Sequence, residues 1–374
     1  MKKKTVLYPF SRENLPVALY NNQFNQAYEI YSIVAPVGLG LCGQDASIAD
    51  NRNLLNLEVN GDLRQAIKKT EAIFIPSGDE KSHLYDNIFE YIDFAAKLGK
   101  DVVCGIKLTR EMYYQIKKTC YEHHGKFVYY YNENHTWMTS TIYKRHRFSS
   151  PVVFVGGVFA DANNFETTCC LAKLLRQSGY HVAVVGDRPE WNLWDGYGSY
   201  QLMKFFQGKT WDVSTEKVVL LLNHYFHCIE VTENPDIILV QVPGALLELG
   251  GFSNEAGIYA YVLSRAIQPD FFVGCLLQGA YNQKALEISS SEIKSRFGFA
   301  MNCAHISNKA LDVAISIERQ EMQFIYYPTQ GALDTVNATK STIPLFHILD
   351  DTEQQKMFNY LIAYLSRKQG ENAK

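Results

Sequence analysis

The residues most suggestive of chemistry lie in a glycine-containing turn between an apolar run and a predicted helix. The phosphate-loop pattern is a glycine, four further residues, a second glycine, a lysine and a serine or threonine. If Gly157 is the first glycine, then Ala162 stands at the second glycine, Asn163 at the lysine and Asn164 at the serine or threonine. Backbone N–H groups after Gly156 and Gly157 suit an anion at a helix N-terminus. An active NTPase needs a cation on the phosphates and a hydroxyl on Mg²⁺, and asparagine replaces both. The turn therefore predicts a degenerate anion or nucleotide site that hydrolyses its ligand poorly.

The same turn has a structural interpretation. Asn163 and Glu166 have the spacing of a capping box, with Asn in place of Ser or Thr. These residues would then only begin a helix, and the sequence leaves both interpretations open.

Other candidate residues follow the predicted strands of the second half, because open α/β sheets bind ligands at the carboxyl ends of their strands. They predict a pocket for a mononucleotide or phosphorylated ligand, and no cofactor is identified beyond a nucleotide with Mg²⁺ as the candidate. The candidate residues are Gly156, Gly157, Asp161, Asn163, Asn164, Asp187, Arg188, Gly244, Asn254 and Glu255.

Metal chemistry has little support. His224 and His227 would lie one turn apart on a helix, but no third ligand accompanies them in the sequence, and whether they bind a metal stays open. The eight cysteines include no C-x-x-C pair, so we expect no structural zinc or iron–sulfur site.

A glycine-rich stretch in the first half supplies a second group of candidates. It follows a predicted strand and places glycine and polar residues where a core would otherwise continue. Loops held by a rigid scaffold often bind ligands, so we expect a ligand or partner surface, although the two aspartates could instead cap the next segment. The candidate residues are Gly40, Gly43, Gln44, Asp45 and Asp50.

The length of 374 residues predicts two domains. Apolar runs bounded by glycine and proline alternate with helical segments, which is typical of doubly wound α/β domains. Periodicity fails between about 127 and 150, and we place the junction there. The expected domains are 1–148 and 149–335, followed by a segment at 336–374 whose amphipathic helix should pack on a domain. In the second domain we expect strands at 152–155, 181–185, 218–222, 236–242 and 270–277, and helices at 166–178 and 254–267.

Charge and hydropathy exclude some classes of function. The net charge of −3 comes from 36 basic and 39 acidic residues mixed along the chain, which argues against a nucleic-acid surface. No run approaches about 20 apolar residues, so we expect no membrane span and a cytoplasmic protein. A homo-oligomer remains open.

Several stretches of the chain, spread over about residues 5 to 310, resemble a known family: the accessory proteins of clostridial-type systems that mature ribosomally made, Cys-rich peptides with a radical SAM enzyme. The stretches that carry the resemblance are 7–16, 40–45, 49–50, 151–166, 251–257 and 296–299. None of them is a catalytic signature, and the resemblance transfers no catalytic residue.

The resemblance implies an N-terminal Rossmann-like domain and a C-terminal P-loop-like domain with a degenerate phosphate loop. It also implies a cytoplasmic protein that binds a precursor peptide, the radical SAM maturase or both. Two alternatives remain, a nucleotide-dependent ligase or transferase acting on a peptide or small carboxylate, and a small-molecule binding module. Whether the chain is an enzyme is therefore open.

Overall fold

The computed structural model describes residues 1–78, 82–130, 144–197, 214–251 and 257–372. The chain forms two compact units. The first unit contains residues 1–49, 53–134 and 188–200, and the second contains 50–52, 135–187 and 201–374. The division is thus discontinuous, because residues 50–52 belong to the second unit and residues 188–200 to the first.

The first unit is built on a six-stranded parallel sheet with the order β3-β2-β1-β4-β5-β6. This is the usual order of dinucleotide-binding folds. Every residue of β4 and β5 is buried, as in parallel sheets that are covered on both faces. The strands are β1 Lys3–Leu7, β2 Tyr28–Val34, β3 Val59–Asn60, β4 Ala72–Ile75, β5 Asp101–Cys104 and β6 Phe127–Tyr129. The helices are α1 Leu15–Phe24, α2 Leu63–Lys69, α3 Ile88–Lys97 and α4 Arg110–Glu122.

The second unit has its own six-stranded parallel sheet, with the order β14-β11-β10-β7-β9-β8. In this sheet β8 and β9 lie on one side of β7, and the later strands β10, β11 and β14 lie on the other. The strand order therefore reverses at β7. Its sheet strands are β7 Val152–Gly157, β8 Val182–Val185, β9 Ile237–Ala245, β10 Phe271–Leu276, β11 Cys303–Ile306 and β14 Leu345–Phe346. A separate antiparallel pair consists of β12 Lys309–Leu311 and β13 Phe324–Tyr326.

The helices of the second unit are α5 Asn164–Gln177, α6 Thr215–Glu233, α7 Ile258–Ala266, α8 Gln283–Phe297, α9 Val313–Arg319, α10 Thr329–Ala338 and α11 Asp351–Asn372. The expected helix at 166–178 is confirmed, with Gly179 at φ +88° after its end. The C-terminal helix α11 packs on α5 and β14 through Met357, Leu361 and Leu365, as its apolar stripe predicts. The two doubly wound α/β units confirm the predicted fold class.

The strand predicted at 218–222 is wrong, since these residues lie in the first half of α6. The Ser214 side chain accepts a hydrogen bond from the Lys217 N–H at 3.4 Å and caps the helix. Buried residues continue beyond the apolar run at Tyr225, Phe226 and Ile229, which is helical spacing. A short apolar run alone does not separate a buried strand from a buried helix.

Within the described residues, the helices are too short or too polar to cross a membrane.

Candidate functional site

Two glycines at the end of β7 are needed for steric reasons. A Cβ on Gly157 would lie 1.9 Å from the Ala160 carbonyl oxygen, because the chain folds back over this residue. A Cβ on Gly156 would lie 3.0 Å from Leu246 Cδ1 and 3.1 Å from Val242 Cβ, at the neighbouring strand β9. The tight turn predicted from the sequence is therefore present at the point where the strand order reverses, which is where α/β sheets bind ligands.

The first residues of α5 do not form the capping box. Asn163 stands at the N-cap with φ +63°, and its side chain makes no capping hydrogen bond. Its Oδ1 instead accepts a hydrogen bond from the Ser307 hydroxyl. Asn164 is buried, and its Oδ1 accepts the Phe165 N–H at 3.0 Å. The protein's own side chain thus occupies one of the N–H groups that an anion at this helix end would use.

The capping-box prediction fails because Glu166 pairs with Arg52. The guanidinium donates from Nη1 to Glu166 Oε1 at 2.6 Å and from Nη2 to Glu166 Oε2 at 2.8 Å. It also donates from Nε to Asp50 Oδ1 at 2.9 Å. All three residues belong to the second unit, and their side chains are only 2–7% exposed. Burial alone would lower the pKa of Arg52, but Glu166 and Asp50 raise it well above its ordinary value.

The charges near the turn do not favour a triphosphate. Lys309 Nζ donates to the Asp161 carbonyl oxygen at 2.8 Å, and the Asp161 side chain is exposed. Together with the buried triad of Asp50, Arg52 and Glu166, this gives two cations and three carboxylates. Phosphate sites depend on a surplus of positive charge, so hydrolysis of a bound triphosphate has little electrostatic support here.

The other residues predicted for this pocket separate into three groups. Gly244 lies close to the turn, since the next residue, Ala245, pairs with Gly157 in the sheet. Asp187 comes two residues after the end of β8 and is the last residue of the second unit before the chain enters the first. Arg188 belongs to the first unit and is not part of the group that the second unit brings together. Asn254 and Glu255 lie outside the described residues.

Arg188 instead helps to fill the ligand position of the first sheet. Buried Glu190 accepts hydrogen bonds from the Ser77 N–H at 2.6 Å and from the Ser77 hydroxyl at 2.8 Å. Arg188 donates to the Glu13 carbonyl oxygen at 2.9 Å and to Asn14 Oδ1 at 3.1 Å. Their partners Glu13 and Asn14 come after β1, and Ser77 comes after β4. The order of the first sheet reverses between these two strands, where a dinucleotide would ordinarily bind. The chain's own carboxylate therefore occupies this crevice, which disfavours dinucleotide binding.

The glycine-rich loop, residues 37–49, is held by an aspartate. Asp45 accepts the N–H groups of Ser47 at 3.0 Å, Leu55 at 3.0 Å and Leu57 at 2.9 Å. Burial would raise the pKa of Asp45, but a hydrogen bond from the Ser47 side chain and those from the three N–H groups lower it to about 2. Asp50, in turn, is buried against Arg52 in the second unit. Both side chains are thus bound internally. Asp45 holds backbone N–H groups, as in the capping alternative, whereas the Asp50 carboxylate pairs with Arg52.

The exposed residues of this loop are of another kind. Gly40, Gly43 and Gln44 are exposed, and both glycines have positive φ with open space around them. Apolar side chains that no sequence motif marks are exposed as well. They are Val37 (91%), Leu39 (43%), Ile48 (55%) and, on the segment that returns past Asp45, Leu54 (76%). Their exposure depends on the path of the loop, which local sequence does not reveal.

The histidine pair has a third member. His146 stacks on His227 with ring centroids 3.7 Å apart and an interplanar angle of 9°, and lies 5.8 Å from His224. Because the His146 and His227 rings are stacked and nearly parallel, the lone pairs of their nitrogens lie in two parallel planes and do not point toward one metal ion. No group of metal-ligating side chains is found in the part of the chain that the structure describes.

Comparison with known proteins supports the fold. No known protein family matches the chain, and no curated protein does. A solved structure of a DUF1611 family protein from Anabaena variabilis aligns with a TM-score of 0.58 and 11% identity, over 96% of this chain and 99% of that chain. At this identity the likeness shows the two-unit α/β fold alone.

Two further solved structures align less well. One is a GTPase from Pyrococcus abyssi, with a TM-score of 0.25 and 16% identity over 46% of this chain and 71% of that chain. The other is the MinD cell division protein of Aquifex aeolicus, with a TM-score of 0.29 and 11% identity over 56% of this chain and 86% of that chain. Such TM-scores carry no argument about this chain.

Proposed function

We propose that this chain is a binding protein, an accessory in the maturation of a ribosomally synthesised, Cys-rich peptide. The glycine-rich loop of its first unit contacts the precursor peptide, the radical SAM maturase or both. The observation that carries the proposal is the exposure of Val37, Leu39, Ile48 and Leu54 around a loop that Asp45 holds in place. Apolar side chains on an anchored loop favour association with another protein, because burial on binding removes them from water.

The second unit contributes, in this proposal, a weak anion or nucleotide site with little hydrolysis. Its support is the turn at Gly157, which keeps the frame of a phosphate loop without the lysine or the hydroxyl. A nucleotide-dependent ligase or transferase has less support, because the Asn164 side chain takes up an N–H group at the start of α5 and carboxylates outnumber cations near the turn.

Binding can be tested with the radical SAM enzyme and the small Cys-rich peptide that we expect the neighbouring genes to encode. Pull-down by the wild-type chain should retain one or both, and the double variant Val37→Ser/Leu54→Ser should lose at least about tenfold in affinity, which corresponds to about 1.4 kcal/mol.

A matched control is available in the first unit. Leu39 and Leu98 are exposed to 43% and 45%, and Leu98 lies at the end of α3, away from the loop in sequence. Leu39→Ser should weaken retention and Leu98→Ser should not, with melting temperatures alike. Equal retention by both variants would remove the loop from the binding surface, and no retention by the wild type would refute the function.

A further inference from the structure

A second group of exposed apolar side chains lies in the second unit, on β13 and on the helix α9 that connects β12 with β13. A soluble protein rarely exposes a large contiguous apolar area unless that area serves for interaction. We call this group the hairpin patch. Its members are exposed to 40–57% and are Val313, Ile315 and Ile317 of α9, Ile325 of β13 and Tyr327, which follows β13.

Helix α9 turns its apolar residues toward solvent. Helices on the surface of a globular protein normally turn their apolar stripe toward the core. The residue that α9 buries, however, is Ser316. Its exposed residues include all four of its apolar ones, Val313, Ala314, Ile315 and Ile317. Most of the apolar surface of α9 therefore has no cover within the described part of the chain.

Hydrogen bonds hold α9 in this position. The Ser316 hydroxyl accepts the Gln323 N–H at 2.8 Å and donates to the Gln323 carbonyl oxygen at 3.3 Å. Asp312 caps the helix, because its Oδ1 accepts the Ile315 N–H at 3.1 Å. The apolar side chains thus stand on an anchored element, which lowers the entropy that binding must cost.

An open cavity of about 510 Å³ adjoins the hairpin patch, because Tyr327 belongs to both. Ala310 of β12 also lines the cavity and pairs with Ile325 of β13, so these two side chains lie on one face of the two strands. Alternate residues of a strand share a face, which places Tyr327 on the same side. The lining also includes Ala280, Tyr281 and Ala338. One continuous surface therefore offers protruding apolar side chains and a recess that can receive them.

The exposed area of the patch suits one side of a protein interface. Its five side chains, each about half exposed, leave roughly 400 Å² open to solvent, since a large side chain has an area of about 150–250 Å². One side of a standard interface buries about 800 Å², of which about 57% is apolar, or roughly 450 Å². The hairpin patch and the alanines of the cavity together supply this apolar area.

The charges at the border of the patch are of both signs. Arg319 lies in the chain between Glu318 and Glu321, and all three residues are exposed. A strongly acidic or strongly basic partner would meet a like charge there, which weakens association. A second copy brings an arginine and two glutamates of its own, so that opposite charges can face each other.

We propose that the hairpin patch is the two-fold interface of a homodimer and that its occupant is a second copy of this chain. In a two-fold interface the same surface of each copy meets its counterpart, so the isoleucines of one copy can enter the cavity of the other. The apolar area that each copy buries is then that of a standard interface. The proposal concerns the second unit and does not depend on the function proposed for the glycine-rich loop.

The mass of the full chain in solution tests the proposal. We expect sedimentation velocity and light scattering to give twice the mass of one chain at about 50 µM, because interfaces of standard size have dissociation constants in the micromolar range or below. A dilution series gives that constant, and residues 313–319 and 324–327 should exchange their amide hydrogens more slowly above it than well below it. A chain that stays monomeric at about 50 µM would overturn the proposal.

Variants at exposed positions localise the interface. Ile317→Glu should raise the dissociation constant at least about hundredfold, because the interface contains the residue twice and each copy then sets a carboxylate against apolar surface. Ile325→Thr keeps a β-branched residue in β13 and should raise the constant about tenfold. The matched control is Ile288→Glu on α8, since Ile288 is 55% exposed and Ile317 is 57% exposed. It should leave the constant unchanged, and circular dichroism should show the wild-type fold in all three variants.

Two further outcomes would overturn the proposal. A dimer that keeps its dissociation constant in both Ile317→Glu and Ile325→Thr forms through another surface. If the chain is monomeric alone, and Ile317→Glu releases the maturase or the precursor in the pull-down while Ile288→Glu retains it, the hairpin patch binds that partner and not a second copy.

Discussion

Replacing Arg52 by methionine should destabilise the second unit more than any exposed substitution of the same type. The change removes the guanidinium from between Asp50 and Glu166 but keeps most of the aliphatic volume. Two carboxylates, exposed to only 4% and 2%, would then face each other without a counterion. Removal of one partner from a buried ion pair typically costs about 3–5 kcal/mol, and here both carboxylates lose their hydrogen bonds.

We therefore expect a loss of about 4 kcal/mol in the free energy of unfolding of this unit. For domains of this size, 1 kcal/mol corresponds to about 2–4 °C, so the second unit should melt about 10 °C lower. Differential scanning calorimetry and urea unfolding by circular dichroism measure both quantities.

A matched control is the exposed pair Arg296–Glu292, whose atoms are 2.5 Å apart and whose side chains are 44% and 41% exposed. Exposed pairs contribute about 0–1 kcal/mol, so Arg296→Met should have little effect. The triple variant Asp50→Asn/Arg52→Met/Glu166→Gln should recover part of the stability that Arg52→Met loses, because it leaves no buried charge. An Arg52→Met variant within about 1 kcal/mol of Arg296→Met would refute the reasoning.

Three further results are expected. Gly157→Ala should lower the free energy of unfolding by about 3 kcal/mol, because the new Cβ would lie 1.9 Å from the Ala160 carbonyl oxygen. Gly331→Ala should not destabilise the protein, because its nearest neighbour, Tyr327 Cβ, is 3.8 Å away. Equal urea midpoints for the two variants would contradict the fold-back of the turn. Asp45 has a pKa of about 2, below the value of about 3.9 in unfolded chains, so its contribution is present above about pH 4 and is lost as the pH falls toward 2. The difference in stability between the wild type and Asp45→Asn should shrink over that interval, and a constant difference would rule out the hydrogen bonds as its cause. Turnover of ATP or GTP with Mg²⁺ should stay below about 1 s⁻¹, and faster turnover would contradict the non-hydrolytic second unit.

Local pattern was sufficient for much of the fold. Apolar runs between glycine and proline predicted four of the six strands of the second sheet, β7 to β10, and Gly157 was identified because its neighbours in sequence define a turn. The run at 218–222 was misassigned because a buried helix and a buried strand share the same composition over five residues.

The contacts that characterise the sites join residues far apart in the chain. Arg52 and Glu166 are separated by 114 positions, and Ser77 and Glu190 by 113. No periodicity or spacing motif connects such pairs, so the sequence assigned Glu166 to a local cap and did not single out Arg52 or Glu190. Solvent exposure cannot be inferred from residue type either, since Val37 and Leu54 are exposed although valine and leucine are usually found in protein cores.

Amide hydrogen exchange of the full chain, with and without the radical SAM maturase or the precursor peptide, tests the central claim most directly. If the glycine-rich loop is the binding surface, the partner should slow exchange at residues 37–49 and 53–58, and the first turn of α5 should exchange as in the free protein. Unchanged exchange in both loop segments, together with partner-dependent protection at the start of α5, would contradict the account.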